Sequence, residues 1–186
     1  AQPVPDATRD DFDPLERDRL RRIIGTYQSS DRNLLELTDE ELEKSLQLTV
    51  TVDGKTMPTL TGLLLLGKGE SLKRFVPTHR ASFQVMSGTD IKVSQDYAGP
   101  LLKTIEQIND MFSPWNPSVE LSVGLFSMIV PEFDHRAFRE ALVNAFGHRD
   151  YTLLGRVRVQ LDDAGLTIAN PGGFVEGINI HNLLTA

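Results

Sequence analysis

The chain has no cysteine among its 186 residues. That excludes disulfides, thiolate zinc sites, iron–sulfur clusters and cysteine nucleophiles. Long hydrophobic runs are missing as well. The longest unbroken ones span four or five residues, such as Leu63 to Leu66, whereas a membrane-crossing helix needs about 20. There is no basic excess either: the net charge is −7 and the pI about 5.1. Bulk charge therefore gives no help toward nucleic acid, and any DNA contact needs a local basic patch or another domain. The opening residues, A-Q-P-V-P-D, carry neither a basic n-region nor an apolar h-region and do not read as a signal peptide. No methionine stands at position 1, and the chain reads as a piece of a longer cytoplasmic protein. What remains, 40 % hydrophobic and 24 % charged residues, is enough for a globular chain with one core of ordinary size or two small lobes.

Residues 1–11 read as a tail, with three acids, two prolines and no apolar periodicity. Asp13-Pro14-Leu15-Glu16 is a helix start, with Asp13 as cap, Pro14 at the first position and Glu16 reaching back. The spacing of Leu20, Ile23, Ile24 and Tyr27 carries that helix to about Tyr27. Arg17, Arg19, Arg21 and Arg22 on it read either as a nucleic-acid contact or as a solvated face, and six acids against five bases in residues 1–30 favour the solvated face. Thr38-Asp39-Glu40-Glu41 is a capping box for a short helix, Asp53-Gly54 a turn after a strand at 49–52, and Thr59 the cap of an apolar helix stopped by Gly67. Residues 81–85 alternate as a strand. Leu101, Leu102, Ile105, Ile108 and Phe112 repeat with helical spacing. Pro114 and Pro117 bracket Trp115 and mark a joint between two lobes. Val119, Leu121, Val123 and Leu125 alternate as a further strand.

In the last third Asp134 caps a helix to about His148, with Phe138, Ala141, Leu142, Ala145 and Phe146 as its apolar arc. Residues 157–161 and 166–168 alternate around the turn at 162–165, a hairpin that ends in Asn170-Pro171-Gly172-Gly173. The expected architecture is α+β. A linker and helix occupy 1–30, an α+β lobe 31–117, and a second lobe 118–186 with the order helix, strand, strand, glycine turn.

Two look-alikes fail on chemistry. Gly62 to Lys68 nearly matches a phosphate-binding loop but lacks the Ser or Thr that would hold magnesium, and its four leucines want burial. His148-Arg149-Asp150 copies the start of a kinase catalytic loop, yet Gly155 stands where the metal-binding Asn belongs. The four histidines, at 79, 135, 148 and 181, have no zinc spacing. What remains is Glu140 and Asn144, four residues apart on one side of their helix and expected on the flank of the apolar arc. A carboxamide oxygen suits Mg²⁺, and a carboxylate can take a proton from an attacking water. The Gly-Gly turn would let a planar base approach the backbone closely.

The run R-E-A-L-V-N-A-F-G-H-R-D-Y at 139–151, the run G-R-V-R-V-Q-L-D-D-A-G-L-T-I-A-N-P-G-G-F at 155–174 and P-T-L-T-G-L-L-L-L-G-K at 58–68 resemble the C-terminal module of RecG-like, helicase-related proteins. These are also described as predicted transcriptional regulators and are commonly joined to a Schlafen-AlbA DNA-binding domain. The resemblance covers roughly residues 34–186. The helix and glycine turn are in turn similar to the GHKL ATPases. The resemblance implies Glu140 as the water-activating base, Asn144 as the Mg²⁺ ligand, Asn170 opposite the adenine amino group, and Gly172 and Gly173 as the close-approach glycines of an ATP pocket. Asn170 supplies an amide where that group has a carboxylate. The lid and second glycine box would fall beyond Ala186, thirteen residues past Gly173, so hydrolysis by this chain is expected to be undetectable. The implied function is a regulatory, nucleotide-sensing module of a DNA-binding transcriptional regulator. It would use ATP and Mg²⁺, reach DNA through flanking domains, form a homodimer and have no membrane contact. The alternatives are a Mg²⁺-dependent ATPase of GHKL type and a ligand-free structural or dimerisation module.

Overall fold

The computed structural model of the chain describes residues 2–26 and 30–172, so Tyr27, Gly173 and His181 lie outside the described residues. The fold is mixed α+β. Helix α1 spans Pro14–Thr26, α2 Asp39–Ser45, α3 Leu60–Leu66, α4 Gly69–Phe75, α5 Leu101–Phe112 and α6 His135–Gly147. Strands β1 (Thr49–Val52) and β2 (Lys55–Pro58) form one antiparallel hairpin, and β5 (Ser118–Val123) and β6 (Phe126–Pro131) another. The central sheet has the order β4-β3-β7-β8, from β3 (Ala81–Ser87), β4 (Asp90–Tyr97), β7 (Val157–Asp162) and β8 (Gly165–Ala169). Among the described residues no helix is long and apolar enough to cross a membrane.

Several starts follow the local signals. Thr38 and Glu41 form the reciprocal capping box, the Thr59 hydroxyl accepts from the Gly62 N–H at 3.0 Å, and Asp134 accepts from the Ala137 N–H at 2.8 Å. At α1 the expected box is incomplete. Asp13 accepts from the Leu15 N–H, but Glu16 turns into the protein, where it is buried and accepts from Arg19.

Apolar burial divides the chain differently from the expected joint at 113–118. A first core gathers Ala7, Phe12, Leu20, Leu48, Leu63 and Leu66, with Leu64, Leu72 and Val76 beside it. The second core starts at Ala81 and runs to Val159, filling the space between the sheet and helices α5 and α6. Strand β3 pairs parallel with β7, Ala81 opposite Val157 and Phe83 opposite Val159. The four-stranded sheet therefore takes strands from both sides of Pro117. Period-2 alternation fixes which face of a strand is buried but not its partner, so this long-range pairing leaves no local trace.

The opening residues are also packed rather than tail-like. The Val4 N–H donates to the Pro58 carbonyl, and Phe12 forms a bridge with Gly67. Isolated apolar residues on extended backbone anchor there without any periodic signal. Three of the four α1 arginines are fasteners, held within the chain rather than offered to a partner, while Arg22 stays exposed on the solvated face. Arg17 pairs with buried Glu43 at 2.7 Å, Arg19 with Glu16 and Glu106, and Arg21 with Asp39 and the Leu35 and Leu37 carbonyls. The phosphate-loop look-alike is a buried helix: Leu63 and Leu66 are fully covered.

Candidate functional site

Helix α6 lies on the sheet through Phe138, Leu142, Ala145 and Phe146, all buried. Phe138 stacks on Phe112 of α5 with ring centroids 4.0 Å apart. Burying each of these large side chains contributes roughly 1.5–3 kcal/mol, so the rotation of the helix is well determined. Glu140 and Asn144 are then both exposed on its solvent side, farther from the apolar arc than the flank expected for them. Neither side chain has a hydrogen-bond or ion-pair partner among the described residues. Glu140, Asn144 and His148 recur every fourth residue and so form one stripe along the helix.

The glycine turn meets the end of that stripe. The Asp150 N–H donates to the Pro171 carbonyl at 2.9 Å, while the His148 N–H closes the last helical turn on the Asn144 carbonyl. Gly172 sits at φ +155°, and a Cβ there would stand 2.9 Å from the His148 carbonyl oxygen and 3.3 Å from Asn170 Nδ2. Glycine at this position is thus set by both backbone conformation and lack of space. Gly155, at φ +129°, is likewise pressed by Pro171, whose Cγ would lie 2.9 Å from an added Cβ.

Sequence reasoning missed the group that holds this junction together. Arg149 is buried and forms no salt bridge among the described residues. Its Nη2 donates to the Thr78 and Gly155 carbonyls at 2.5 and 2.8 Å, and its guanidinium lies 4.7 Å from the Tyr151 ring centroid. Burial pulls the Arg149 pKa down from its ordinary value and pushes the Tyr151 phenol up. The Thr78 hydroxyl donates to the Tyr151 carbonyl at 2.7 Å. His79 is buried beside them with Nε2 2.9 Å from the Gly99 carbonyl. A carbonyl only accepts, so Nε2 carries the proton and Nδ1 is a bare acceptor. Desolvation holds the His79 pKa below its usual value, the Gly99 carbonyl opposes that, and nearby Arg149 adds to the lowering. Arg149 and Tyr151 stood in the sequence inside the H-R-D-Y run. The packing role of the arginine is hidden there by its likeness to a kinase loop, because its carbonyl partners at Thr78 and Gly155 are set by the fold.

The predicted residues are brought together in part. Half-buried Asn170 lines a shallow hollow of about 420 Å³ on the other face of the sheet, with Ser82, Gln84, Arg156 and Arg158. Glu140 and Asn144 do not line it. A hollow of about 660 Å³ between α5 and α6 is floored by Leu102, Ile105, Leu142 and Val143 and also excludes them. The expected single cavity shared by Glu140, Asn144, Asn170 and Gly172 is therefore not formed by these described residues, and Gly173 falls outside them. The connection is through backbone: Asn144 lies about 6 Å and Glu140 about 12 Å along the helix axis from the Gly172 contact. As a donor set, Glu140 and Asn144 offer only oxygen ligands, open to solvent and without an internal partner. That fits Mg²⁺, which takes one or two protein oxygens and keeps waters and phosphate oxygens for the rest.

A family model described as a domain of unknown function, DUF8451, matches residues 1–82, less than half of the chain. Its end falls where the first core gives way to β3. No curated protein matches the chain. Among solved structures, the crystal structure of the DIP2311 protein from Corynebacterium diphtheriae is similar, with a TM-score of 0.75 and 24 % identity over all of this chain. The chain spans 35 % of the length of that protein. This likeness concerns the fold alone.

Proposed function

We propose that the chain from Ala81 onward, whose sheet and helices share the second core, begins a GHKL-like, nucleotide-sensing module of a DNA-binding transcriptional regulator. The observation that carries the reading is the close approach of the glycine turn to the end of the Glu140–Asn144 stripe, where the Asp150 N–H donates to the Pro171 carbonyl and a Cβ on Gly172 would stand 2.9 Å from the His148 carbonyl oxygen. An exposed carboxylate, an exposed carboxamide and a glycine turn at the helix end support the reading, as candidate base, Mg²⁺ ligand and close-approach backbone. Asn144 would hold Mg²⁺, and Glu140 would accept a proton from water. The ion, when bound, supplies charge neutralisation for phosphate oxygens. Asn170 and Gly172, with Gly173, would border the base. DNA contact would belong to flanking domains, since Arg17, Arg19 and Arg21 are spent on carboxylates of the chain itself.

Titration calorimetry with MgATP tests this reading. Binding to the wild-type chain is expected, with loss of the metal-dependent part in Asn144→Ala and near-normal binding in Glu140→Gln. Turnover is expected to be undetectable. Absence of MgATP binding, with the fold intact, refutes nucleotide sensing and leaves the structural reading. Steady hydrolysis abolished by Glu140→Gln would instead establish the ATPase.

A further inference from the structure

The β5–β6 hairpin is the least protected apolar surface of the described residues. Each of its strands has a single neighbour, so both outer edges are unpaired. Its register sets Val119 opposite Val130 and Leu121 opposite Met128. Directly paired residues share a face, so Val119, Leu121, Phe126, Met128 and Val130 lie together on one side. Phe126 is 79 % exposed and Met128 53 %, and Leu125 at the tip is fully exposed. A two-stranded hairpin of this kind is marginal in water by itself, and edge strands are normally blunted by lysine, proline or charge. Here residues 118–130 hold one ionisable side chain, Glu120, which is on the other face and accepts from Ser127.

The base of the hairpin is nevertheless fixed. Buried Asn116 donates to the Phe133 carbonyl at 2.8 Å and accepts from the Phe133 N–H at 2.9 Å, and the Glu132 N–H donates to the Pro117 carbonyl. The apolar face is therefore presented in a set direction rather than folded back on the body.

We propose that this face is the interface of a homodimer, packed against the same face of a second copy about a two-fold axis. The nucleotide reading above has no part in this argument. Three observations select the second copy. The face has no charge, so it offers nothing complementary to nucleic acid or to a charged peptide. The hairpin carries no lysine or arginine, and Glu132 follows it, which disfavours an anionic membrane surface. The exposed area of these side chains with Leu125 is roughly 600 Å² per copy, so self-pairing of two such faces buries about 1,200 Å², the lower bound of a specific interface. Self-pairing of one patch is the isologous arrangement that closes at two subunits and does not extend into fibres.

Sedimentation equilibrium of the chain over a concentration series tests the proposal. A monomer–dimer equilibrium with a Kd of about 1–10 µM is expected. Phe126→Asp and Met128→Glu should each weaken it at least about a hundredfold, because each buries a charge in the apolar face. Glu120→Lys, on the opposite face, should leave it unchanged. Circular dichroism on each variant confirms the fold, and either of the two charge variants that folds decides the matter. The single tryptophan, Trp115, stands at the hairpin base and is 37 % exposed, so its emission should shift with dimerisation. A wild-type chain monomeric at about 100 µM, a dimer indifferent to both charge variants, a dimer lost in Glu120→Lys, or partition of the wild type into phosphatidylcholine vesicles instead of dimerisation would each overturn the proposal.

Discussion

Glu43 is the clearest place to test whether the α1 arginines are internal fasteners. It is 2 % exposed and accepts from Arg9 Nε and Arg17 Nε, both at 2.7 Å. Glu43→Gln keeps the volume but removes the charge. One amide oxygen can still accept, while the new NH₂ group faces a guanidinium, donor against donor. Two charge-assisted bonds at about 1.5–3 kcal/mol each are lost or weakened. Arg17, 18 % exposed, keeps its place over Phe12, and Arg9, 31 % exposed, keeps Glu40, which lowers the cost below the full penalty for a broken buried pair. The expected loss is about 3 kcal/mol. With a urea m-value of about 2 kcal/mol/M, the midpoint followed by far-UV circular dichroism should fall by about 1.5 M. Arg22→Gln, which touches none of these carboxylates, should stay within about 0.5 kcal/mol of wild type. A Glu43→Gln midpoint within about 0.3 M of wild type would refute the fastening role and return Arg17 to the pool of residues available to a partner.

Gly172→Ala should cost about 1–3 kcal/mol, because the φ is left-handed and the new methyl meets the His148 carbonyl. Hydrogen exchange should show the Asp150 amide losing protection as its bond to the Pro171 carbonyl loosens, and unchanged protection would contradict the packed turn. His79 gives the chain a pH dependence of definite sign. Its folded pKa is below the ordinary 6.5, so its contribution is complete above about pH 6.5 and is lost as the pH falls and the unfolded chain takes up the proton. The loss approaches about 1.4 kcal/mol per unit until the folded pKa is reached. Urea midpoints of wild type should therefore fall more steeply between pH 6.5 and about 5 than those of His79→Gln, and parallel profiles would contradict the assignment.

How much of this was legible in the sequence depended on range. The caps at Thr38, Thr59 and Asp134, the apolar repeat of α5 and the 157–169 hairpin are written within a few residues, where backbone geometry acts directly. Strand β4 was not read because its alternation is confined to Ile91 and Val93 and the rest of 90–96 is polar and largely exposed, so its pairing with β3 is what makes it a strand. The parallel β3–β7 pairing, the anchoring of Val4 and Phe12, and the carboxylates that take up Arg17, Arg19 and Arg21 come from distant residues, to which periodicity is blind. At the candidate site the helix positions of Glu140 and Asn144 were legible. Their outward rotation depended on which side chains the sheet accepts. The place of Arg149 depended on carbonyls at Thr78 and Gly155 that no motif announces.

The proposed nucleotide sensing requires the outer stripe of α6 and the glycine turn to form one binding surface. The most direct measurement is a ¹⁵N-resolved NMR titration of the chain with MgATP and, separately, with Mg²⁺ alone. Concerted shifts are expected at the backbone amides of Glu140, Asn144, His148, Asn170, Gly172 and Gly173, saturating together and lost in Asn144→Ala. Saturable shifts confined to the hollow around Arg156 and Arg158, or no shifts at α6, would contradict it.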